Sequence, residues 1–173
     1  MADSPAPVDA INRMTRADFV AAFGDVAEHS PWVAERAAAA RPFADRRALA
    51  EAFLDAIFDA DPSEQLALVR AHPDLAGKAA LAGDLQPESR KEQAGAGLDR
   101  LSADEFARFT ELNDAYRTKF GFPFVFAVRG ADKTAILKAF EDRMANDPEA
   151  ELATAIRQVG NIIGFRIEDR VAP

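Results

Sequence analysis

Apolar side chains recur along the chain at spacings of three and four, bracketed by residues that start and stop helices. Thr15-Arg-Ala-Asp18 resembles a capping box, and Phe19, Val20 and Phe23 follow on one face before Gly24. Ser30-Pro31 places an N-cap ahead of a proline at the first helical position, and Pro42 ends that helix at about Arg41. Asp45 caps a helix whose stripe is Leu49, Phe53, Ala56, Ile57 and Ala60. Asp61-Pro62-Ser63-Glu64 starts the next, with Leu66 and Val69 as its apolar face. It should stop at about His72, because Pro73 disfavours helical geometry in the residue before it. Pro73 to Gly83 leaves room for a further turn or two. Ser89-x-x-Glu92 spells another capping box leading to Leu98, and Ser102-x-x-Glu105 opens a helix with Phe106, Phe109, Leu112, Asn113, Tyr116 and Phe120 on one side. Gly121 ends it. Asp132 caps a helix bearing Ile136, Leu137, Phe140 and Met144. Asp147-Pro148 begins the longest, striped by Leu152, Ile156, Val159, Ile163 and Ile167.

Two stretches break this rhythm. Residues 1–14 hold few large apolar groups and predict a flexible lead-in to a helical domain over 15–173. Phe122 to Gly130 is rich in Phe and Val and contains Pro123, which predicts an extended buried segment. The fold expected is all-α, a single-domain bundle of about seven or eight helices with one irregular Phe-rich segment.

Composition narrows the chemistry. The chain has no Cys and only two His, His29 and His72, so thiolate metal sites, disulfides, cysteine nucleophiles and poly-histidine metal centres are not expected. The formal charge is -8, which repels phosphate backbones and anionic lipids, so neither nucleic acid nor a membrane surface is an expected partner. No apolar run has the length of a membrane span. The first residues lack the apolar core of a signal peptide and the last three are not a peroxisomal tripeptide, which makes the cytoplasm the expected location. There is no phosphate-binding glycine loop, no G-x-S-x-G and no H-E-x-x-H.

Four places are chemically odd for a simple bundle. His72 stands where a helix must stop, beside the rigid Pro73. That suits a general acid or base, and equally a histidine favoured by the helix dipole. Glu92 and Gln93 precede Gly95 and Gly97, which weaken a helix by roughly 1 kcal/mol each relative to Ala. Glu92 is either a capping-box residue or, if the glycines admit a ligand, a pocket residue. The Phe120-Gly-Phe122-Pro-Phe124-Val-Phe126 run either fills volume or leaves backbone groups for a polar ligand. Arg166 follows Ile163 on an apolar stripe, so its guanidinium must snorkel, pair internally or fork a substrate carboxylate.

These motifs, taken in order, resemble those of the 2-oxo-4-hydroxy-4-carboxy-5-ureidoimidazoline (OHCU) decarboxylase family. The likeness rests on Ser30-Pro-Trp-Val-Ala-Glu-Arg-Ala, His72-Pro-Asp-Leu-Ala-Gly, Ser89-x-x-Glu92-Gln93-x-x-Ala96-Gly97-Leu98, Leu112-Asn-x-x-Tyr116-x-x-Lys119-Phe-Gly-Phe-Pro-Phe, Val128-Arg-Gly130 and Ile163-x-x-Arg166-Ile167. It spans about residues 15 to 170. The resemblance implies an all-α homodimer without metal or organic cofactor. It places the catalytic pair on His72 and Glu92. Substrate binding falls on Pro73, Ser89, Gln93 and Arg166, with backbone groups near Phe122 and Phe124. The implied reaction, the last step from urate to (S)-allantoin, removes CO2 and protonates the ring on one face. His72 is expected to take the substrate hydroxyl proton, Arg166 to hold an anionic or carbonyl group, and Glu92 and Gln93 to read the ureido arm. Two other readings stay open: a non-enzymatic helical module binding a partner through an exposed Phe-rich groove, and another small-ring decarboxylase or hydrolase of purine breakdown.

Overall fold

The structure is a computed structural model that describes residues 4–173. It divides into two compact units, one of residues 4–71 and 159–173, the other of residues 72–158. Both are helical. Among the described residues the only strand-like pairing is an isolated parallel bridge between Ala6 and Val171.

The first unit holds α1 (Val8–Asn12), α2 (Arg16–Phe23), α3 (Trp32–Ala37), a 3-10 turn (Ala38–Ala40), α4 (Arg46–Phe58), α5 (Pro62–Arg70) and the end of α10 (Pro148–Arg170). Local chemistry fixes the starts. Asp18 N donates to Thr15 Oγ1 at 3.1 Å, and Ala48 N donates to Asp45 Oδ1 at 2.8 Å. At Asp61 a capping box closes, with its own N–H donated to Glu64 Oε2 at 3.1 Å. Phe19 packs on Phe23, Phe43 and Phe53, and all four rings are buried. Two expectations shift. Ser30 does not cap α3: its hydroxyl donates back to Glu28 O at 3.0 Å, and Pro31 takes the cap position. Of the expected lead-in, residues 1–3 lie outside the described part, while Val8–Asn12 form α1. Ile11 is fully buried, and Asn12 exchanges two side-chain hydrogen bonds of 2.8 Å with the Phe43 backbone.

The second unit holds α6 (Lys78–Ala82), α7 (Pro87–Gly95), α8 (Ala103–Phe120), α9 (Lys133–Met144) and the start of α10. The Ser102/Glu105 capping box forms in both directions, at 2.9 and 3.2 Å, and Gly121 closes α8 in the left-handed conformation with φ 77°. The Ser89/Glu92 box does not form. Pro87 already opens α7, because a proline's missing N–H costs nothing at the first helical position. Ser89 therefore lies inside α7, buried, one turn before the buried Gln93. Gly95 has no neighbour within 4 Å of where a side chain would begin, so nothing there demands a glycine; Gly97 is required by its positive φ of 79°.

Candidate active site

His72 opens the second unit at a sharp break in the chain and is only 5% exposed. The five residues that follow it, Pro73 to Gly77, contain no helix or strand. Their backbone must find partners elsewhere. Gln93 of α7 supplies two of them. Its Oε1 accepts from Ala76 N at 3.0 Å and its Nε2 donates to Asp74 O at 3.3 Å. Asn113 of α8 donates from Nδ2 to Leu75 O at 2.9 Å. One turn further along the same face, Arg117 Nε reaches both carboxylate oxygens of Asp74, at 2.9 and 3.2 Å. The loop they hold is strained. Ala76 has φ +51°, a region that costs an L-residue roughly 1–2 kcal/mol. A Cβ at Gly77 would sit 2.6 Å from Asp74 Cβ, so only glycine fits that turn.

Ser89, Glu92 and Gln93 share α7. Ser89 and Gln93 are buried at i and i+4, and Glu92 is half-buried beside them. The amide of Gln93 keeps one N–H beyond the bond to Asp74, since an NH₂ group has two donors.

The Phe-rich segment is held differently. Phe124 stacks on Phe140 with ring centres 3.8 Å apart, and Phe122 and Phe124 both meet Tyr116 edge-on. Arg143 lies 4.3 Å over the Phe124 ring. Arg143 also donates to Val125 O at 2.6 Å and pairs with the fully buried Glu151 at 2.6 Å. Glu151 accepts from the Tyr116 hydroxyl and, at 2.9 Å, from Asn146 Nδ2. Burial, and then the bond to Glu151, push the Tyr116 phenol well above its ordinary pKa, so it stays a neutral donor. Ala127 N donates to Gln158 Oε1 at 2.9 Å. Two backbone groups of the irregular segment, Val125 C=O and Ala127 N–H, are thus satisfied by protein. The rings of Phe122 and Phe124 belong to the core, leaving only their backbone as candidates for a ligand.

Arg166 lies in the first unit. It is 2% exposed, donating to Val26 O at 3.2 Å and to Glu28 Oε1 at 3.3 Å, and Glu28 itself is 1% exposed. Of the options its sequence position leaves open, snorkelling is ruled out by this burial. Sequence reasoning missed Arg117, Arg143, Glu28 and Glu151. For Asn113 it placed the residue on the buried stripe of α8, where a polar side chain needs partners, without identifying them.

The family model described as OHCU decarboxylase matches residues 12–168. A 2-oxo-4-hydroxy-4-carboxy-5-ureidoimidazoline decarboxylase of Halalkalicoccus jeotgali is 41% identical, over 96% of this chain and 92% of its own. A uric acid degradation bifunctional protein of Bacillus subtilis is 36% identical over 94% of this chain and 32% of its own. Among solved structures, one described as (S)-allantoin synthase aligns with TM-score 0.75 and 29% identity, over 96% of this chain; the chain spans about half of that one, 54%. The break at His72, the buried face of α7 and the Phe-rich segment all fall inside the matched span, and the chain belongs to the OHCU decarboxylase family.

Proposed function

We propose that this protein decarboxylates 2-oxo-4-hydroxy-4-carboxy-5-ureidoimidazoline to (S)-allantoin in urate breakdown. The observation that carries the reading is the buried imidazole of His72 at the head of a loop held by Gln93, on the same helix as Ser89 and Glu92. The carboxyl–ring bond breaks and CO2 leaves. The electron pair delocalises into the substrate ring, which supplies its own electron sink. His72 takes the hydroxyl proton as this happens, a contribution of about 10²–10⁴-fold. The ring carbon is then protonated on one face, with His72 (now carrying the hydroxyl proton), Glu92 and water as the candidate donors. Glu92 accepts from the ureido N–H groups, and Gln93 donates its remaining N–H to a substrate carbonyl. Ser89, Pro73 and the backbone at Phe122 and Phe124 line the substrate. Arg166 is proposed as the arginine that holds the anionic group, with Glu28 fixing its guanidinium plane.

The protein is proposed to work as a cytoplasmic homodimer without cofactor. The burial of Phe122, Phe124 and Val125, each at most 3% exposed, speaks against the rival reading of an exposed Phe-rich groove for a protein partner. The test is to generate the unstable substrate enzymatically from urate and follow its loss with and without this protein. Acceleration proportional to protein concentration is expected; loss at the spontaneous rate would reject the reading.

A further inference from the structure

We propose that Asn113 and Arg117 are positioning residues for His72, fixing from one face of α8 the loop backbone that sets the direction of the imidazole. The inference rests on the decarboxylase reading and deepens it. Neither residue touches His72 through the bonds described. Asn113 holds the carbonyl of Leu75 and Arg117 holds the carboxylate of Asp74, three and two residues after the histidine. From α7, Gln93 accepts from Ala76 N, the other side of the peptide that Asn113 holds, and donates to the Asp74 carbonyl. Three side chains from two helices thus hold three consecutive residues, 74 to 76, the last of which sits in a left-handed conformation.

Two features distinguish this from ordinary loop anchoring. The first is Asn113 Oδ1, which is buried and accepts no hydrogen bond. Leaving a buried acceptor unmet costs about 1–3 kcal/mol, which offsets what the Nδ2 bond to Leu75 contributes to stability. Its orientation is set by the Leu75 carbonyl, which takes its one used donor. The second is the Arg117–Asp74 pair. The Arg117 side chain is 45% exposed, and pairs of that kind contribute little to stability, about 0–1 kcal/mol. What the pair does control is geometry, since Nε bridges both carboxylate oxygens and fixes where Asp74 points. A displacement of roughly 1 Å at a catalytic group can cost about 10²-fold in rate.

The experiment measures kcat, KM and Tm for Arg117→Met, Arg117→Lys, Asn113→Ala and the surface control Lys138→Met, alongside wild type and His72→Asn. Arg117→Met is expected to lower kcat about tenfold with KM within about twofold and Tm nearly unchanged. Arg117→Lys should recover most of that loss, because a cation still meets Asp74. Asn113→Ala is expected to lower kcat by about 10–10²-fold, again with little change in KM. Wild-type kcat in the soluble Arg117→Met protein, or a loss that tracks Tm and is not recovered by lysine, overturns the proposal. Should Asn113→Ala not fold, the exposed Arg117 series decides alone. An inactive wild type would instead reject the decarboxylase reading, whereas an active wild type with an inert His72→Asn and unaffected Arg117 and Asn113 variants would reject only the positioning role.

Discussion

Two irregular segments of the second unit solve the same problem in opposite ways. Residues 73–77 and 121–130 both run without regular hydrogen-bond ladders, so each must satisfy its backbone from outside. The Phe-rich segment does so in the core. Its rings meet Tyr116 edge-on and stack on Phe140, and a buried guanidinium donates to one of its carbonyls. The loop after His72 has only Leu75 and Ala76 buried and is held by polar side chains acting on its backbone. One segment is fixed by packing and an internal charge pair, the other by directed hydrogen bonds to the residues that follow His72. On the proposed role of His72, the first arrangement serves stability and the second serves the reaction.

That contrast predicts opposite readouts for substitutions in the two places. The largest effect is expected at His72. His72→Asn keeps a polar side chain of smaller size and should lower kcat by about 10²–10⁴-fold, with a circular dichroism spectrum like that of wild type. In the Phe-rich region the expected loss is stability. Arg143→Met strands the buried Glu151 and should cost about 3–5 kcal/mol by urea denaturation, with kcat per folded molecule largely retained. Phe140→Leu keeps the volume partly filled but loses the stack on Phe124. A loss of about 1–2 kcal/mol is expected, again without a matching change in kcat. The smallest effect should appear at Ala76. Its φ of +51° suits glycine better, so Ala76→Gly should raise stability by up to about 1 kcal/mol. A loss of stability there would contradict the strain assigned to the loop.

Helix starts were legible because capping is local chemistry. Thr15, Asp45, Ser102, Asp132 and Asp147 each accept from a backbone N–H three residues on. Ser89 was misread for an equally local reason, a proline two residues earlier that already starts the helix. The odd chemistry of His72 and Arg166 was also visible, since an imidazole at a helix break and a cation on an apolar stripe both demand explanation. Their partners were not. Gln93 and Asn113 hold the loop from 17 and 38 positions away, and Glu28 meets Arg166 across 138. Periodicity within one helix carries no information about contacts of that range. At Gly95 no other part of the protein approaches, and the missing side chain faces open space.

The most direct measurement follows optical activity while the substrate is produced from urate in the presence of wild type or His72→Asn protein. Wild type should yield a single enantiomer, (S)-allantoin, faster than the spontaneous reaction, and His72→Asn should yield racemate at close to the spontaneous rate. A racemic product with wild type, or undiminished formation of one enantiomer with a folded His72→Asn variant, would contradict the role assigned to His72.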